Sequence, residues 1–308
     1  MFYLDLRHNR KKDKKSSYNA YCYISRIKHF KLNKGDLNEE LEFKISGNMP
    51  EWAKDDPEKF WSAVDKYEKK ETRASCSITV ALPKELSKEQ RIELSVNLVN
   101  AFFCDEFKLP YSWAIHSHKG ALDGESDQPH LHLLYSERTT LGNIERPPAL
   151  FFEQYRPKNP ERGGAQKITA DVLGLGQNQI RHYRELTEQL INESLEKYAS
   201  MKTVRIKGIE VQVPSQVSCL SNASYNKKFG TKLKDAPQIE RWKLYSADPI
   251  IQMDIKPLIE KVKKIREENL YELYKNEYEL ELKRIHSLKT EMKKTDTKNY
   301  SSDYGISM

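Results

Sequence analysis

The sequence predicts an α+β protein, an antiparallel central sheet packed by helices and followed by a helical C-terminal arm. Three observations predict it. Short runs alternate apolar and polar residues, most cleanly at Cys76–Leu82, Tyr111–His116 and His130–Tyr135, as half-buried strands do. Around them, apolar residues recur three and four positions apart, the stripe of a helix packed on a sheet. From Asp248 the pattern is helical again but rich in Lys and Glu, which describes a long arm or a coiled-coil surface better than a second core. The expected organisation is a main domain over 1–200, an extension over 201–247 and a charged helical arm over 248–308, polar and frayed from Lys293.

Taken in order, Phe2–Arg7 is a short strand running into the basic cluster Arg10, Lys11, Lys12, Lys14 and Lys15. Such a cluster is a solvated segment or a nucleic-acid contact. Ser16 and Ser17 are helix caps, and the helix they open is expected to run from Tyr18 through Ile27, with Ala20, Tyr23, Ile24 and Ile27 on one face. On periodicity alone, Tyr23 reads as a core tyrosine. Leu41–Ile45 alternates as a strand, and Asp56-Pro57 opens a helix whose stripe is Phe60, Trp61, Val64 and Tyr67. Cys76–Leu82 is a strand ended by Pro83. Ser87 caps the next helix, with Ile92, Leu94, Val96, Leu98, Val99 and Phe102 as its expected buried set. A helix over about 178–198 is expected to bury Ile180, Tyr183, Leu186, Leu190, Leu195 and Tyr198, and 204–211 reads as a small hairpin.

The chemistry concentrates in two strands. Period two puts His130 and His132 on one face, about 7 Å apart along the strand, with Leu131, Leu133 and Tyr135 on the other. His116 lies opposite the apolar residues Trp113 and Ile115 in its own run, and the loop carrying Gly120, Gly124 and Pro129 joins the two runs as a hairpin. His116 is therefore expected to face His130 and His132 across the ladder. Three neutral imidazoles on a stiff sheet make a partial coordination sphere for a divalent ion and leave positions open for water or a substrate oxygen. His-x-His alone also describes a plain polar strand face; His116 at strand spacing is what favours a metal. His118, expected in the loop, is a weaker fourth donor.

Composition bounds the rest. In 308 residues, 38% hydrophobic content supports a packed core, and a formal net charge of +7 favours polyanions without naming one. Cys22, Cys76, Cys104 and Cys219 have no paired or metal-ligand spacing and read as thiols of a reducing compartment. No run of 18 apolar residues and no secretory signal occurs, so a soluble, cytoplasmic protein with no membrane partner is expected. There is no Walker loop, no CxxC pair and no Gly-x-Ser-x-Gly elbow, and Gly174-Leu175-Gly176 is too short for a dinucleotide fingerprint. The stretch holding Tyr155, Arg156, Lys158, Arg162 and Lys167 joins basic side chains, a stackable tyrosine and the glycines Gly163 and Gly164. It suits a nucleic-acid contact or a solvated linker.

Several of these words, in consistent order over about residues 2–200, resemble the MobA/MobL relaxases of mobilizable plasmids. They are Ala20-Tyr21-Cys22-Tyr23-Ile24, Val80-Ala81-Leu82-Pro83 with Glu85-Leu86, Ala114-Ile115-His116, His130-Leu131-His132 and Ser136-Glu137-Arg138. Ile144-Glu145-Arg146-Pro147 and Arg162-Gly163-Gly164-Ala165-Gln166-Lys167 complete the set. The resemblance implies an HUH-type nicking domain over 1–200 that cuts and reseals single-stranded DNA at the plasmid origin of transfer. The family's tyrosine nucleophile falls on Tyr23, with Tyr21 as the fallback, and its metal ligands fall on His116, His130 and His132. Bound Mn²⁺ or Mg²⁺ would withdraw charge from the phosphate and orient it for attack by a phenol, a weak nucleophile at neutral pH; three nitrogen donors favour manganese or a later metal over magnesium. DNA contacts are expected from the basic cluster, from Arg26 and from the segment holding Tyr155 through Lys167. Accessory relaxosome proteins and a type IV secretion coupling protein are the implied partners.

The sequence departs from the family at Ser77 and Thr79, where close relatives carry acidic residues, and its loop between His116 and His130 is longer. Glu68 and Glu71 are then the side chains expected to take the tyrosine's proton, unless metal-bound water does. Two other classes share parts of this pattern. An HUH replication initiator or transposase uses the same tyrosine and metal on a different DNA element, whereas a non-enzymatic DNA-binding protein keeps the histidines as structure and Tyr23 as packing.

Overall fold

The alternating segments pair into a single five-stranded sheet in the computed structural model, which describes residues 2–13, 15–31, 39–120, 122, 126–142 and 144–302. In chain order its elements are β1 (Leu4–Arg10), α1 (Ser17–Ser25), β2 (Glu39–Gly47), α2 (Pro57–Tyr67), β3 (Arg73–Ala81), α3 (Lys88–Ala101), β4 (Tyr111–Lys119), β5 (Asp127–Tyr135), α4 (Pro148–Phe151) and α5 (Gln179–Tyr198). The sheet order is β1-β3-β5-β4-β2 and every pairing is antiparallel, as the α+β reading expects. These elements belong to one compact unit, Met1–Ala199 with Gln216–Cys219; Ser200–Ser215 and Leu220–Met308 form a second. The segments expected apart as 201–247 and 248–308 thus share one unit, and four residues of the extension return to the first.

Period two divides the core of the first unit between the two faces of the sheet. Ile78, Val80, Trp113, Ile115, Leu131, Leu133 and Tyr135 pack on one side against Leu94, Leu98 and Phe102 from α3 and its C-terminus and against Tyr183, Ile191 and Leu195 from α5. On the other side, Ala114 and Leu134 meet Ile24 of α1, Phe60, Trp61 and Val64 of α2, and Phe151 and Phe152 at α4. Burying each of the larger side chains stabilises the fold by roughly 1.5–3 kcal/mol. Trp61 also spends its one donor inside, giving Nε1–H to Ser112 Oγ at 2.9 Å. Two expected core residues point outward, Val96 at 43% exposed and Ile180 at 38%. Val96 falls on the side of α3 turned away from Leu94, Ser95, Leu98 and Val99, and Ile180 lies in the first turn of α5.

The caps explain where the helices sit. Ser87 and Gln90 form a complete capping box on α3, and the Asp56 side chain caps α2 ahead of Pro57. Helix α1 is capped twice over: Ser16 accepts from Asn19 N, and the Asp65 carboxylate of α2 accepts from Ser17 N and Tyr18 N at 2.8 and 3.1 Å. A carboxylate at this helix N-terminus also complements its dipole. At the other end α1 stops at Ser25, short of the expected Ile27, because Arg26 turns left-handed at φ 51, ψ 52.

Three family-like words prove to be scaffold. Arg138 is buried and clamps Glu68 through Nε and Nη2 at 2.7 and 2.9 Å, while its remaining N–H groups go to the carbonyls of Phe151, Phe152, Glu153 and Ala165. Lys167 Nζ lies 3.4 Å from Glu68 and donates to Arg73 O, and Arg73 in turn pairs with Glu137 at 2.9 Å. Arg146 is used the same way, donating to Gly163 O and Pro160 O. The Gly163-Gly164 pair is scaffold too, since a Cβ on Gly164 would lie 1.9 Å from the carbonyl oxygen of Glu153. Gly164→Ala is therefore expected to destabilise the protein by on the order of 1–3 kcal/mol, read as a lowered urea midpoint with an unchanged m-value.

In the second unit, β6 (Met201–Ile206) and β7 (Ile209–Pro214) form the expected hairpin, turning through Lys207 and Gly208 at φ 47 and 83, the pair of positive φ angles a two-residue type I′ turn requires. Helices α6 (Asn222–Phe229), α7 (Arg241–Leu244), α8 (Pro249–Leu273) and α9 (Lys275–Ser302) follow. The expected arm breaks at Tyr274, which is buried with Ile206, Val211 and Val213. This gives the segment a small core of its own. Among the described residues, no helix is long and apolar enough to cross a membrane.

Candidate metal and nucleophile site

The pairing of β4 with β5 sets His116 directly opposite His130 and Ala114 opposite His132, so period two brings all three imidazoles to the face covered by α1. Ring centroids are 5.8 Å apart for His116 and His130, 4.8 Å for His116 and His132, and 4.7 Å for His130 and His132. One nitrogen from each lies within 4.8 Å of the others.

Each ring is held through a second hydrogen bond. His116 is fully buried, and its Nε2 lies 2.7 Å from Ile24 O. His130 Nδ1 lies 3.0 Å from Gln128 O, and His132 Nδ1 lies 3.3 Å from Thr79 Oγ1. A carbonyl only accepts, so Nε2 of His116 and Nδ1 of His130 carry hydrogen. The lone pairs of the neutral rings then fall on His116 Nδ1 and His130 Nε2. An imidazole fixed by a carbonyl at one nitrogen and presenting the other is the arrangement metal-binding histidines use. The donor set fits a divalent first-row ion: one nitrogen from each of three histidines, the nitrogens within 4.8 Å of one another, on rings held by neighbouring groups.

Helix α1 delivers Tyr23 to this cluster. Its ring meets His116 and His132 edge-on at 5.8 and 5.7 Å and Phe30 at 5.6 Å, with the Arg26 guanidinium 4.5 Å from its centre. Arg26 Nη2 also donates to His116 Nδ1 at 3.2 Å. Two residues back, the half-buried Tyr21 has Glu58 as a nearby charge, and burial raises its phenol above the ordinary tyrosine value. His118 sits in β4 rather than in the loop, its ring 5.1 Å from His130.

Other expected site residues are placed apart. Glu68 is at the opposite end of the sheet, sealed against Arg138 with its side chain fully buried. It is not positioned to take a proton from Tyr23, because its lone pairs are spent on two cations. Glu71 is an exposed partner of Lys12 at 3.6 Å. Lys167 belongs to the buried ion cluster, which removes it from the DNA-contact set, and Lys11 Nζ is tied to the carbonyls of Lys66 and Glu68 at the end of α2. Arg10, Lys12, Lys15, Arg156, Lys158 and Arg162 are exposed, Tyr155 half-buried. Lys14 lies outside the described residues. Sequence reading noted Thr79 only as a departure from an acidic pattern; its pairing opposite His132 in β3 makes its hydroxyl the group that orients that ring.

The MobA/MobL family profile matches residues 23–219. The chain belongs to the MobA/MobL family. Among curated proteins it is 32% identical over 191 residues to the 43 kDa relaxation protein of Salmonella typhimurium, covering 62% of this chain and 50% of that one. It is 40% identical over 135 residues to mobilization protein A of Escherichia coli, covering 44% of this chain and 18% of that one. The chain thus spans half or less of the length of these relatives. Solved structures resemble it more distantly. One comes from work on vancomycin resistance transfer in Staphylococcus aureus, at 20% identity and TM-score 0.44 over 65% of this chain and 94% of that one. Another is the metal-bound conjugative relaxase TrwC with oriT DNA, at 11% identity and TM-score 0.39 over 86% of this chain and 98% of that one. The MobA/MobL match takes in Tyr23, the histidine triad, the ion cluster and the segment that returns at Gln216–Cys219.

Proposed function

We propose that this protein nicks and rejoins one DNA strand at a plasmid origin of transfer, with Tyr23 as nucleophile and a divalent ion, Mn²⁺ or Mg²⁺, held by His116, His130 and His132. The single observation that carries this reading is the packing of the Tyr23 ring against two members of the triad. In the proposed step the phenolic oxygen of Tyr23 bonds to phosphorus as the bond from phosphorus to the 3′ oxygen breaks. The departing oxygen takes a proton and the 5′ phosphate stays on the protein. No water is consumed, so the same step run backward reseals the strand.

The chain's own groups divide the work. The cap on α1 holds the phenol at the triad, and the Arg26 guanidinium, 4.5 Å from the ring centre, puts positive charge beside the reacting phosphate. A bound ion would supply Lewis acidity toward the non-bridging phosphate oxygens. Exposed Arg10, Lys12, Lys15, Arg156, Lys158 and Arg162 supply phosphate contacts whose contribution falls with salt. With Glu68 sealed away, the phenol proton passes to the solvent that reaches the half-buried Tyr23.

The test mixes the purified chain with labelled single strands from its own plasmid, with and without Mn²⁺, and maps the peptide that carries a nucleotide. A nucleotide on the Tyr23 peptide is expected, and an adduct on another residue or cleavage by free water would overturn the reading. The double variant His130→Ala/His132→Ala is expected to lose metal-dependent cleavage on the order of a hundredfold or more. It should retain most strand binding, measured by fluorescence anisotropy across a salt series.

A further inference from the structure

The arginine that ends α1 has a relation to the triad that the proposed chemistry leaves unexplained. The Ile24 carbonyl fixes hydrogen on His116 Nε2, which leaves Nδ1 as the lone pair that ring can offer. Arg26 Nη2 sits on that atom at 3.2 Å. Nothing about the arrangement is incidental to the backbone. Arg26 is left-handed, and its N–H closes the helix on Cys22 O and Tyr23 O, so its side chain leaves the cap toward the sheet and crosses the Tyr23 ring on the way. A guanidinium and a metal ion cannot share one lone pair.

We infer that Arg26 latches the triad. Its guanidinium must swing off His116 before the three histidines can hold an ion, and once released it is free to grip a DNA phosphate. The inference rests on reading the triad as a metal site. Its physical content is a competition: ion binding is weakened by the fraction of molecules in which the latch is closed. The freed group is well suited to its second role, because a planar guanidinium donates two parallel N–H bonds to phosphate oxygens. The same residue then blocks an ion in the DNA-free protein and contributes an anion contact beside Tyr23 in the loaded one.

The experiment titrates Mn²⁺ into the full chain without DNA and follows free Mn²⁺ by electron paramagnetic resonance, in the wild type, Arg26→Ala, Arg26→Lys and His116→Ala. Thermal unfolding confirms that each variant folds. Arg26→Ala is expected to bind Mn²⁺ on the order of three- to tenfold more tightly than the wild type. Arg26→Lys should do the same, since a strongly hydrated ammonium does not replace the guanidinium on an imidazole. Equal affinity in the wild type and Arg26→Lys, with only Arg26→Ala tighter, would assign the effect to charge repulsion and overturn the latch. Unchanged or weaker binding by Arg26→Ala would overturn it too, while leaving the metal site standing. If His116→Ala binds as the wild type does, or no variant binds at all, the metal reading fails first and the latch falls with it.

Discussion

Replacing Tyr23 with phenylalanine is expected to abolish the covalent protein–DNA adduct while leaving strand affinity within about twofold. The substitution removes one hydroxyl and keeps the ring, so the edge contacts with His116, His132 and Phe30 persist and the stability change should stay near or below about 1 kcal/mol. The proposed phosphate contacts come from Lys and Arg side chains that the substitution does not touch. Without the phenolic oxygen no phosphotyrosine can form, and the expected loss is at least about three orders of magnitude, read by gel shift after denaturation. Tyr21→Phe is the matched control. Its phenol is half-buried and raised by that burial above the ordinary value, so the variant should form adduct at close to the wild-type rate. Normal adduct formation by Tyr23→Phe would transfer the nucleophile to Tyr21.

The largest stability effect is expected at Glu68. Changing it to glutamine keeps the volume but leaves Arg138, itself 5% exposed, without its counter-charge. Breaking a buried pair from one side costs about 3–5 kcal/mol, a large part of the roughly 5–15 kcal/mol that holds a domain together. The pH dependence follows from the direction of the Glu68 shift. Burial pushes its carboxyl up, but the Arg138 hydrogen bonds and charge, with Lys167 and Thr72, outweigh burial and hold it below the ordinary value. A carboxyl depressed in the folded state contributes fully above its unfolded value, about 4.3, and the contribution disappears as pH falls through the lower folded value. The gap in unfolding free energy between the wild type and Glu68→Gln should therefore be constant from neutrality to about pH 5 and narrow only below about pH 4. Glu137 is raised by burial and acts in the opposite sense, which is why the difference between the two proteins is the informative measurement. A gap that persists undiminished to pH 3 would mean that the pair is not what stabilises this end of the sheet.

Much of the site was legible because strand periodicity is a short-range property. His130 and His132 share a face whatever the rest of the chain does, and His116 joins them through a hairpin whose register follows from the alternation on both strands. The charged residues were less legible, because an ion pair has no local signature. Glu68 and Arg138 are 70 positions apart, and each alone reads as a solvent-facing charge. Lys167 and the Gly163-Gly164 pair were read as a DNA contact for the same reason. Only the fold shows that the lysine turns inward and that the glycines lie where the Glu153 backbone leaves no room for a Cβ.

By itself, then, the sequence determined the alternation of the strands, the caps of α2 and α3, the shared face of three histidines and the family words that point to Tyr23. Tertiary structure decided which charges are scaffold and which are exposed, which nitrogen of His116 is presented, and that Arg26 stands on it. The physical reason is range. Periodicity and capping are settled within a few residues, whereas hydrogen-bond partners across a sheet and a left-handed helix end aimed at a distant ring exist only once the chain has closed on itself.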